Sequence, residues 1–441
     1  MSDDIKFILD GTEATAKPGE TIWQSANRLG IEIPHLCYRH ATDYRGDGNC
    51  RACLVEIDGE QTLAPSCIRE PEEGLVVATN SERAKKTREA IFELLLADQT
   101  EPEGEFKLWL DQMTINGSRF PKSRSVEADN SHTAIEVDLN KCIHCKLCVQ
   151  ACREIQGNDV IGMARRGAKS CIVFDMADAM GASTCVACGE CVQVCPTGAL
   201  KPSGLGAWEM PGESDKIVDS ICPYCGVGCQ VRLHVEDNRI TWVEGRDGPA
   251  NHSRLCVKGR FGMDYASHDH RLTVPLIRKN NAKKTEEITV DPEYPFDQFR
   301  IATWEEALDA ATGGFKSILG SKGPKGLAGF GSAKGSNEEA YLFQKLIRAG
   351  FHTNNVDHCT RLCHASSVSA LLEGIGSGAV TAPFISCLDS DVIVVIGSNP
   401  TINHPVAATF IKNAAEAGAE LIVIDPRKNA LASYASEFLQ F

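Results

Sequence analysis

Twelve cysteines between residues 142 and 256 fall into three groups of four, and they constrain this chain more than any other feature. The first two groups are Cys142, Cys145, Cys148, Cys152 and Cys185, Cys188, Cys191, Cys195, each spaced C-x2-C-x2-C-x3-C, with Pro196 closing the second. In such a run three close thiolates grip one [4Fe–4S] cluster and the fourth reaches across to its neighbour. Cys142, Cys145, Cys148 and Cys195 are therefore expected to hold one cluster, and Cys185, Cys188, Cys191 and Cys152 the other. Structural zinc is the bland alternative, but zinc sites use pairs of CxxC rather than two quartets ending in x3-C. Two quartets together imply a polypeptide that carries electrons.

At 441 residues the chain is long enough for several domains, each with its own core. A net charge of −14 and a pI near 5.4 argue against a nucleic-acid partner. There is no run of 18 apolar residues, so no membrane span is expected. The start, MSDDIKFILDG, is acidic and lacks the apolar core of a secretory signal, and Arg165-Arg166 lies too far inside to act as a twin-arginine signal. The expected compartment is the cytoplasm. Of the 20 cysteines, sixteen fall into ligand-like groups, which suits thiolate ligation in a reducing compartment better than disulfides.

Residues 1–80 open on alternating Ile5, Phe7 and Leu9, then Asp10-Gly11, which predicts a hairpin, followed by a helix over 21–29. Cys37, Cys50, Cys53 and Cys67 follow, spaced C-x12-C-x2-C-x13-C, with Gly46 and Gly48 beside the close pair. That is how a β-grasp loop wraps a [2Fe–2S] centre; the alternative, unrelated surface thiols, is disfavoured by four cysteines so close together. The pattern resembles the N-terminal domain of the large iron–sulfur subunit of respiratory complex I. In those relatives a cluster held by one His and three Cys follows the next helix. Residues 96–131 contain neither residue type, so the resemblance implies that this cluster is absent here.

Residues 81–110 read as helix, with Ser81 as cap and a stripe of Ala90, Ile91, Leu94 and Leu95. The polar stretch 116–130 reads as a linker. Lys141 is either a positive group beside the first quartet or an exposed lysine, and Cys171 reads as a small core residue.

Cys222, Cys225, Cys229 and Cys256, followed by Val257-Lys258-Gly259, form the last group. Val231, Leu233, Val235 and then Ile240, Trp242, Val243 predict two strands that return Cys256 to the other three. Taken alone this group fits zinc seriously. However, C-x2-C-x3-C…C-x-Lys-Gly resembles the first domain of the molybdenum or tungsten bis-pterin oxidoreductases. The resemblance implies a third [4Fe–4S] cluster, with Lys258 between it and one pterin as a charge-assisted donor on the electron path.

From about residue 300 strands and helices alternate. Thr303 to Glu306 is a capping box opening a helix to about 319, 327–330 is a short strand and 336–349 a helix. Val392 to Ile396 reads as a buried strand, followed by a helix over 404–417 and a strand over 421–424. This predicts a parallel sheet, whose ligands sit at the carboxyl ends of its strands. Gly397, Ser398, Asn399, Pro400 and Asp425 to Arg427 occupy two such ends, although ordinary βα turns explain them equally well. Neither G-x-G-x-x-G nor a Walker A motif is present, so NAD and ATP should bind elsewhere.

The loop 355–364, Asn-Val-Asp-His-Cys-Thr-Arg-Leu-Cys-His, places Cys359, Cys363, His358 and His364 too close in sequence to wrap a single zinc ion. With Arg361-x-Cys363-His364 the chain resembles the first half of the α subunit of the cytoplasmic, NAD-dependent, metal-containing formate dehydrogenases, along its whole length. The resemblance implies that Cys363 ligates Mo or W in a bis(molybdopterin guanine dinucleotide) cofactor and that His364 stands beside formate. It also implies release of CO2 and passage of electrons through one [2Fe–2S] and three [4Fe–4S] clusters to a flavin- and NAD-binding iron–sulfur subunit. A soft thiolate suits such a metal, and His364 can hold a proton near neutral pH. Cys359 and Cys387 read as packing residues.

The expected fold class is multidomain α+β and α/β. It comprises a β-grasp [2Fe–2S] domain (1–80), a helical segment and linker (81–131), a double [4Fe–4S] ferredoxin-like module (132–210), a small [4Fe–4S] β domain (215–270) and the start of a parallel α/β pterin-binding region (271–441). The family subunit is about twice as long, so a second polypeptide completing the α/β domains, or a truncated form, is implied. One competing reading is a pterin-free electron-transfer subunit of a complex I or hydrogenase type assembly; a weaker one is a nitrate reductase relative.

Overall fold

The computed structural model describes residues 4–99, 101–122, 125–203, 216–282, 294–378 and 382–441. The expected domain limits at 210 and 215 lie outside the described residues. The chain divides into two compact units, Met1–Asp264 with Phe384–Phe441, and Tyr265–Pro383.

In the first unit β1 (Ile5–Leu9) and β2 (Thr12–Ala16) form a hairpin turned at Asp10 and Gly11, both at positive φ. Helix α1 (Ile22–Arg28) opens on a capping box: Gln24 N donates to Thr21 Oγ1 at 3.2 Å, and Thr21 N donates to Gln24 Oε1 at 2.8 Å. Strands β3 (Leu54–Ile57), β4 (Ala64–Pro65) and β5 (Val76–Ala78) complete a sheet ordered β2-β1-β5-β3-β4, with β1 parallel to β5. Phe7, Leu9, Ile22, Trp23, Val55 and Val77 fill the grasp between helix and sheet. Replacing Thr21 by Ala removes one cap acceptor, at a cost of about 1 kcal/mol. Exchange of the α1 amides should then accelerate about fivefold in hydrogen-exchange mass spectrometry, with distant amides unchanged.

The 81–110 stretch is two helices rather than one, α2 (Glu82–Leu96) and α3 (Gly104–Gln112). Pro102 cannot donate a helical hydrogen bond, and Gly104 sits at φ +62, so the chain turns between them. The buried stripe of α2 is Ala84, Arg88 and Phe92, whereas Leu94 is 56% exposed. Phe92 stacks on Phe106 with ring centroids 5.7 Å apart, and this pair packs in one core with Cys37, Cys50, Cys145 and Leu147.

Strand β6 (Ile135–Val137), helix α4 (Leu147–Gln150), the hairpin β7 (Ile161–Ala164) and β8 (Cys171–Phe174), helix α5 (Glu190–Gln193) and strand β9 (Leu200–Pro202) form the double-quartet module. β6 pairs antiparallel with β9. A three-stranded meander follows, β10 (Lys216–Ile221), β11 (Gln230–Glu236) and β12 (Arg239–Gly245), then helix α6 (Val257–Phe261). β10 is an addition to the two expected strands. Arg254, 1% exposed, ties this part to the N-terminal domain through Asp43 at 2.8 Å.

The second unit holds β13 (Leu276–Arg278) and β14 (Phe299–Ile301), then α7 (Trp304–Lys322), β15 (Gly329–Gly331), α8 (Asn337–Lys345), β16 (Val356–His358) and α9 (Thr360–Ile375). β15 and β16 are parallel, and Leu327, Ile347 and Phe351 form a small core. The first unit closes with β17 (Val392–Ile396), α10 (Pro400–Asn403), α11 (Pro405–Glu416), β18 (Glu420–Ile424) and β19 (Glu437–Leu439), a parallel sheet in that strand order. β17 is not the fully buried strand its composition suggests. Ile393 packs inward, but Val392, Val394 and Ile396 are 53%, 55% and 65% exposed, because among the described residues no element covers that face. No helix among the described residues is long and apolar enough to cross a membrane.

Candidate redox centres

Each sulfur group is built by a loop whose backbone turns inward on it. Cys37, Cys50, Cys53 and Cys67 are all buried, and Cys50 N and Ala52 N donate to Cys37 Sγ and Cys50 Sγ at 3.4 and 3.5 Å. The four thiols also bond one another. Hydrogen bonds from Cys50 and Cys67 pull Cys37 well below an ordinary thiol, and those same bonds push Cys50 and Cys67 up. A Cβ on Gly46 would lie 2.3 Å from the Cys67 carbonyl oxygen, so the loop can pass there only as glycine.

The two quartets are built alike. His144 and Lys146 stand at φ +55 and +67, and Ala187 and Gly189, at the matching positions of the second run, at +54 and +69. These left-handed turns aim His144 N at Cys142 Sγ and Ala187 N at Cys185 Sγ, both at 3.4 Å. Cys142, Cys145, Cys148 and Cys195 line one small cavity of about 20 Å³ with Ile143, Ile172 and Leu200. Cys152 faces the other group: burial raises the Cys188 and Cys191 thiols, and the charges of Cys152 and Cys185 raise them further. At the last group burial, then the charges of Cys222, Cys225 and Cys256, raise Cys229. Crowded, desolvated sulfurs with amide N–H groups turned on them fit the donor set of a cationic iron–sulfur core, which would relieve that repulsion.

These centres are adjacent. Cys37 and Cys50 share a core with Cys145, and Asn49 Nδ2 donates to Cys145 O at 3.3 Å. Cys188 and Cys256 line one cavity of about 590 Å³ with Lys258, Thr401, Lys412 and Tyr434. That cavity brings Lys258 against the start of the segment that follows the Gly397 to Pro400 loop. Gly397 N donates to Ile424 O at 2.9 Å, and Asp425, 8% exposed, accepts from Arg427 N at 2.8 Å, so both loops leave neighbouring strand ends. Cys363, Arg361 and His364 lie not in a loop but on α9. Cys363 is exposed, with its Sγ 3.7 Å from His364 Nε2, and Arg361 pairs with Asp357 at 3.2 Å. Cys359 is exposed too and is not a packing residue, whereas Cys387 packs beside Ile393 and Leu421. Cys171 is half-buried on β8. A cavity of about 680 Å³ opens at the carboxyl ends of β15 and β16, lined by Lys334, Glu339, Arg348 and His358.

Lys141 is buried, not exposed, and pairs with Glu103. Glu190, Arg260 and Lys412 escape a sequence reading, since charged residues ordinarily read as solvated.

Family models match the chain along most of its length. They are the 2Fe-2S iron-sulfur cluster binding domain over 2–82, the 4Fe-4S dicluster domain over 130–199, the molybdopterin oxidoreductase Fe4S4 domain over 215–268 and molybdopterin oxidoreductase over 271–441. The second half of the chain, residues 215–441, is thus similar to molybdopterin oxidoreductases, and the first half to iron-sulfur cluster binding domains. Among curated proteins, "Probable oxidoreductase YjgC" of Bacillus subtilis (strain 168) is 30% identical over all of this chain and 48% of its own length. "Putative formate dehydrogenase SH0748" of Staphylococcus haemolyticus (strain JCSC1435) is 28% identical with the same coverage. The chain thus spans about half the length of the curated relatives it matches. Of solved structures, an NAD+-reducing [NiFe]-hydrogenase in the H2-reduced state aligns with TM-score 0.43 and 27% identity, covering 47% of this chain and 90% of that one. Acetylene hydratase from Pelobacter acetylenicus aligns with TM-score 0.41 and 20% identity, over 50% of this chain and 29% of that one.

Proposed function

We propose that this oxidoreductase converts formate to CO2 reversibly at a Mo or W bis(molybdopterin guanine dinucleotide) centre. Its electrons pass through one [2Fe–2S] and three [4Fe–4S] clusters to a flavin- and NAD-binding partner in the cytoplasm. The observation that carries this reading is that Cys142, Cys145, Cys148 and Cys195 line one cavity, Cys37 and Cys50 share a core with Cys145, and Cys188 and Cys256 share a cavity with Lys258. The proposed ligands are Cys37, Cys50, Cys53 and Cys67; Cys142, Cys145, Cys148 and Cys195; Cys185, Cys188, Cys191 and Cys152; and Cys222, Cys225, Cys229 and Cys256.

The pterin-bound metal supplies two-electron chemistry at formate. The chain supplies the rest. Cys363 offers the soft thiolate, and His364, whose ring nitrogen lies 3.7 Å from that sulfur, can hold the proton formate gives up. The Lys258 ammonium offers a charge-assisted donor to an anionic pterin from the helix that follows Cys256. The loops Gly397 to Pro400 and Asp425 to Arg427 present backbone groups at strand ends, where an α/β sheet binds dinucleotides. Residues beyond this half, on the same or a second polypeptide, complete the pocket. The match of 271–441 to molybdopterin oxidoreductases speaks against a pterin-free electron-transfer subunit.

Elemental analysis and a formate-driven viologen assay on the purified complex test this reading. Mo or W together with iron and formate-dependent reduction are expected. Iron without either metal would overturn it.

A further inference from the structure

A lysine from α11 reaches into the module that carries the two quartets. Lys412, on α11, is 7% exposed. Its ammonium donates to Asn158 Oδ1 at 2.8 Å, Gly157 O at 3.2 Å and Gln156 O at 3.4 Å. Three acceptors call for three N–H groups, so the site is built for the charged form. Burial lowers the pKa of this lysine, and the negative groups it faces, Cys188, Glu416 and Cys152, oppose that shift.

The segment it grips lies directly behind Cys152, and Asn158 N donates to Cys152 O at 2.9 Å. Neutral side chains hold the same segment. Asn413 Nδ2 donates to Glu154 O at 3.0 Å, and Tyr434 Oη donates to Gly157 O at 2.6 Å. The Tyr434 ring lies 5.3 Å from the ammonium. A neutral donor would therefore suffice for docking. A buried cation costs desolvation that an amide avoids, and that cost needs a return.

We propose that Lys412 is a positioning residue that raises the reduction potential of the cluster held by Cys152, Cys185, Cys188 and Cys191, acting as a fixed positive charge behind it. The inference rests on reading those four cysteines as ligands of one cluster. Each electron added makes a cluster more negative, and a buried cation nearby stabilises that reduced state without touching iron. Lys412 also lines the cavity that joins Cys188 to Cys256 and Lys258, so the charge sits where electrons from the last cluster would enter the pair.

The test is a redox titration followed by EPR on the purified, iron-loaded complex, comparing wild type with Lys412→Met, Lys412→Gln, Lys412→Arg and Tyr434→Phe. In the Met variant one [4Fe–4S] signal should need a lower potential, its reduced-to-oxidised ratio at fixed potential falling about tenfold, about 59 mV for one electron. That signal should be the one altered in Cys188→Ser. Arg should restore it, and Tyr434→Phe, which keeps the charge, should not move it. If Met disturbs folding, Gln preserves a donor to Asn158 without the charge and carries the same expectation. Unmoved midpoints in Met or Gln with full iron content would overturn the inference. Absence of a second cubane signal in wild type would instead overturn the ligand reading beneath it.

Discussion

Formate-dependent dye reduction should fall at least about 100-fold when Cys363 is replaced by serine, a larger effect than changes to residues around a metal site usually bring. The cluster EPR signals should persist. A serine hydroxyl is a hard donor that stays protonated at neutral pH, whereas a thiolate is soft and matches a high-valent metal already bound through sulfur. Because Cys363 is exposed on α9, serine removes no packing there, and the fold should be unaffected. Cys359, one turn earlier and also exposed, is the internal control, and Cys359→Ser should stay within about twofold of wild type. If the two losses came out equal, the ligand would have to be reassigned. Full activity in Cys363→Ser would restore the competing reading of a pterin-free electron carrier.

The cysteine groups were legible because cluster geometry dictates ligand spacing, and nothing else in the chain obeys so strict a rule. The loops that shape them were only half legible. Gly189 advertises a left-handed position, but Ala187 and Lys146 adopt one with no local preference for it. The capping box at Thr303 shows plainly in sequence, because cap and partner lie three residues apart, and the structure adds the same device at Thr21 and Ser336. By contrast β10 carries Ile217 and Ile221 at 56% and 63% exposure, so no buried stripe marks it. The run Val392 to Ile396 states how apolar a strand is, not how many of its faces are covered. Lys412, Glu190 and Arg260 are hidden for the opposite reason. Each charged side chain is buried by partners distant in sequence, a context no window of residues contains.

Glu190→Ala should be among the most destabilising single changes in the first unit. Glu190 lies between Cys188 and Cys191 and faces Arg260 across 3.5 Å, and both side chains are wholly buried. Its other oxygen accepts from Tyr44 Oη at 2.9 Å, so one carboxylate joins the N-terminal domain, the double-quartet module and the helix after Cys256. Burial pushes the Glu190 carboxyl up and the Arg260 guanidinium down, and each pulls the other back toward its charged form. Alanine would leave Arg260 charged in a dry site, with Val243 O at 2.9 Å, the amide of Gln193 and the Trp242 ring around it and, among the described residues, only the more remote Cys188 and Glu244 to offset its charge. Breaking a buried pair in this way costs about 3–5 kcal/mol. Against a domain stability of about 5–15 kcal/mol, that is enough to lower the apparent Tm sharply and deplete the protein of iron. Glu190→Gln keeps an acceptor for Tyr44 and should cost less, about 1–3 kcal/mol. Joint replacement by Glu190→Leu and Arg260→Met should recover much of the loss, because it removes both desolvated charges at once. Thermal unfolding with iron analysis of the three variants checks the order, and an alanine variant as stable as wild type would show that Arg260 is neutralised by something other than this carboxylate.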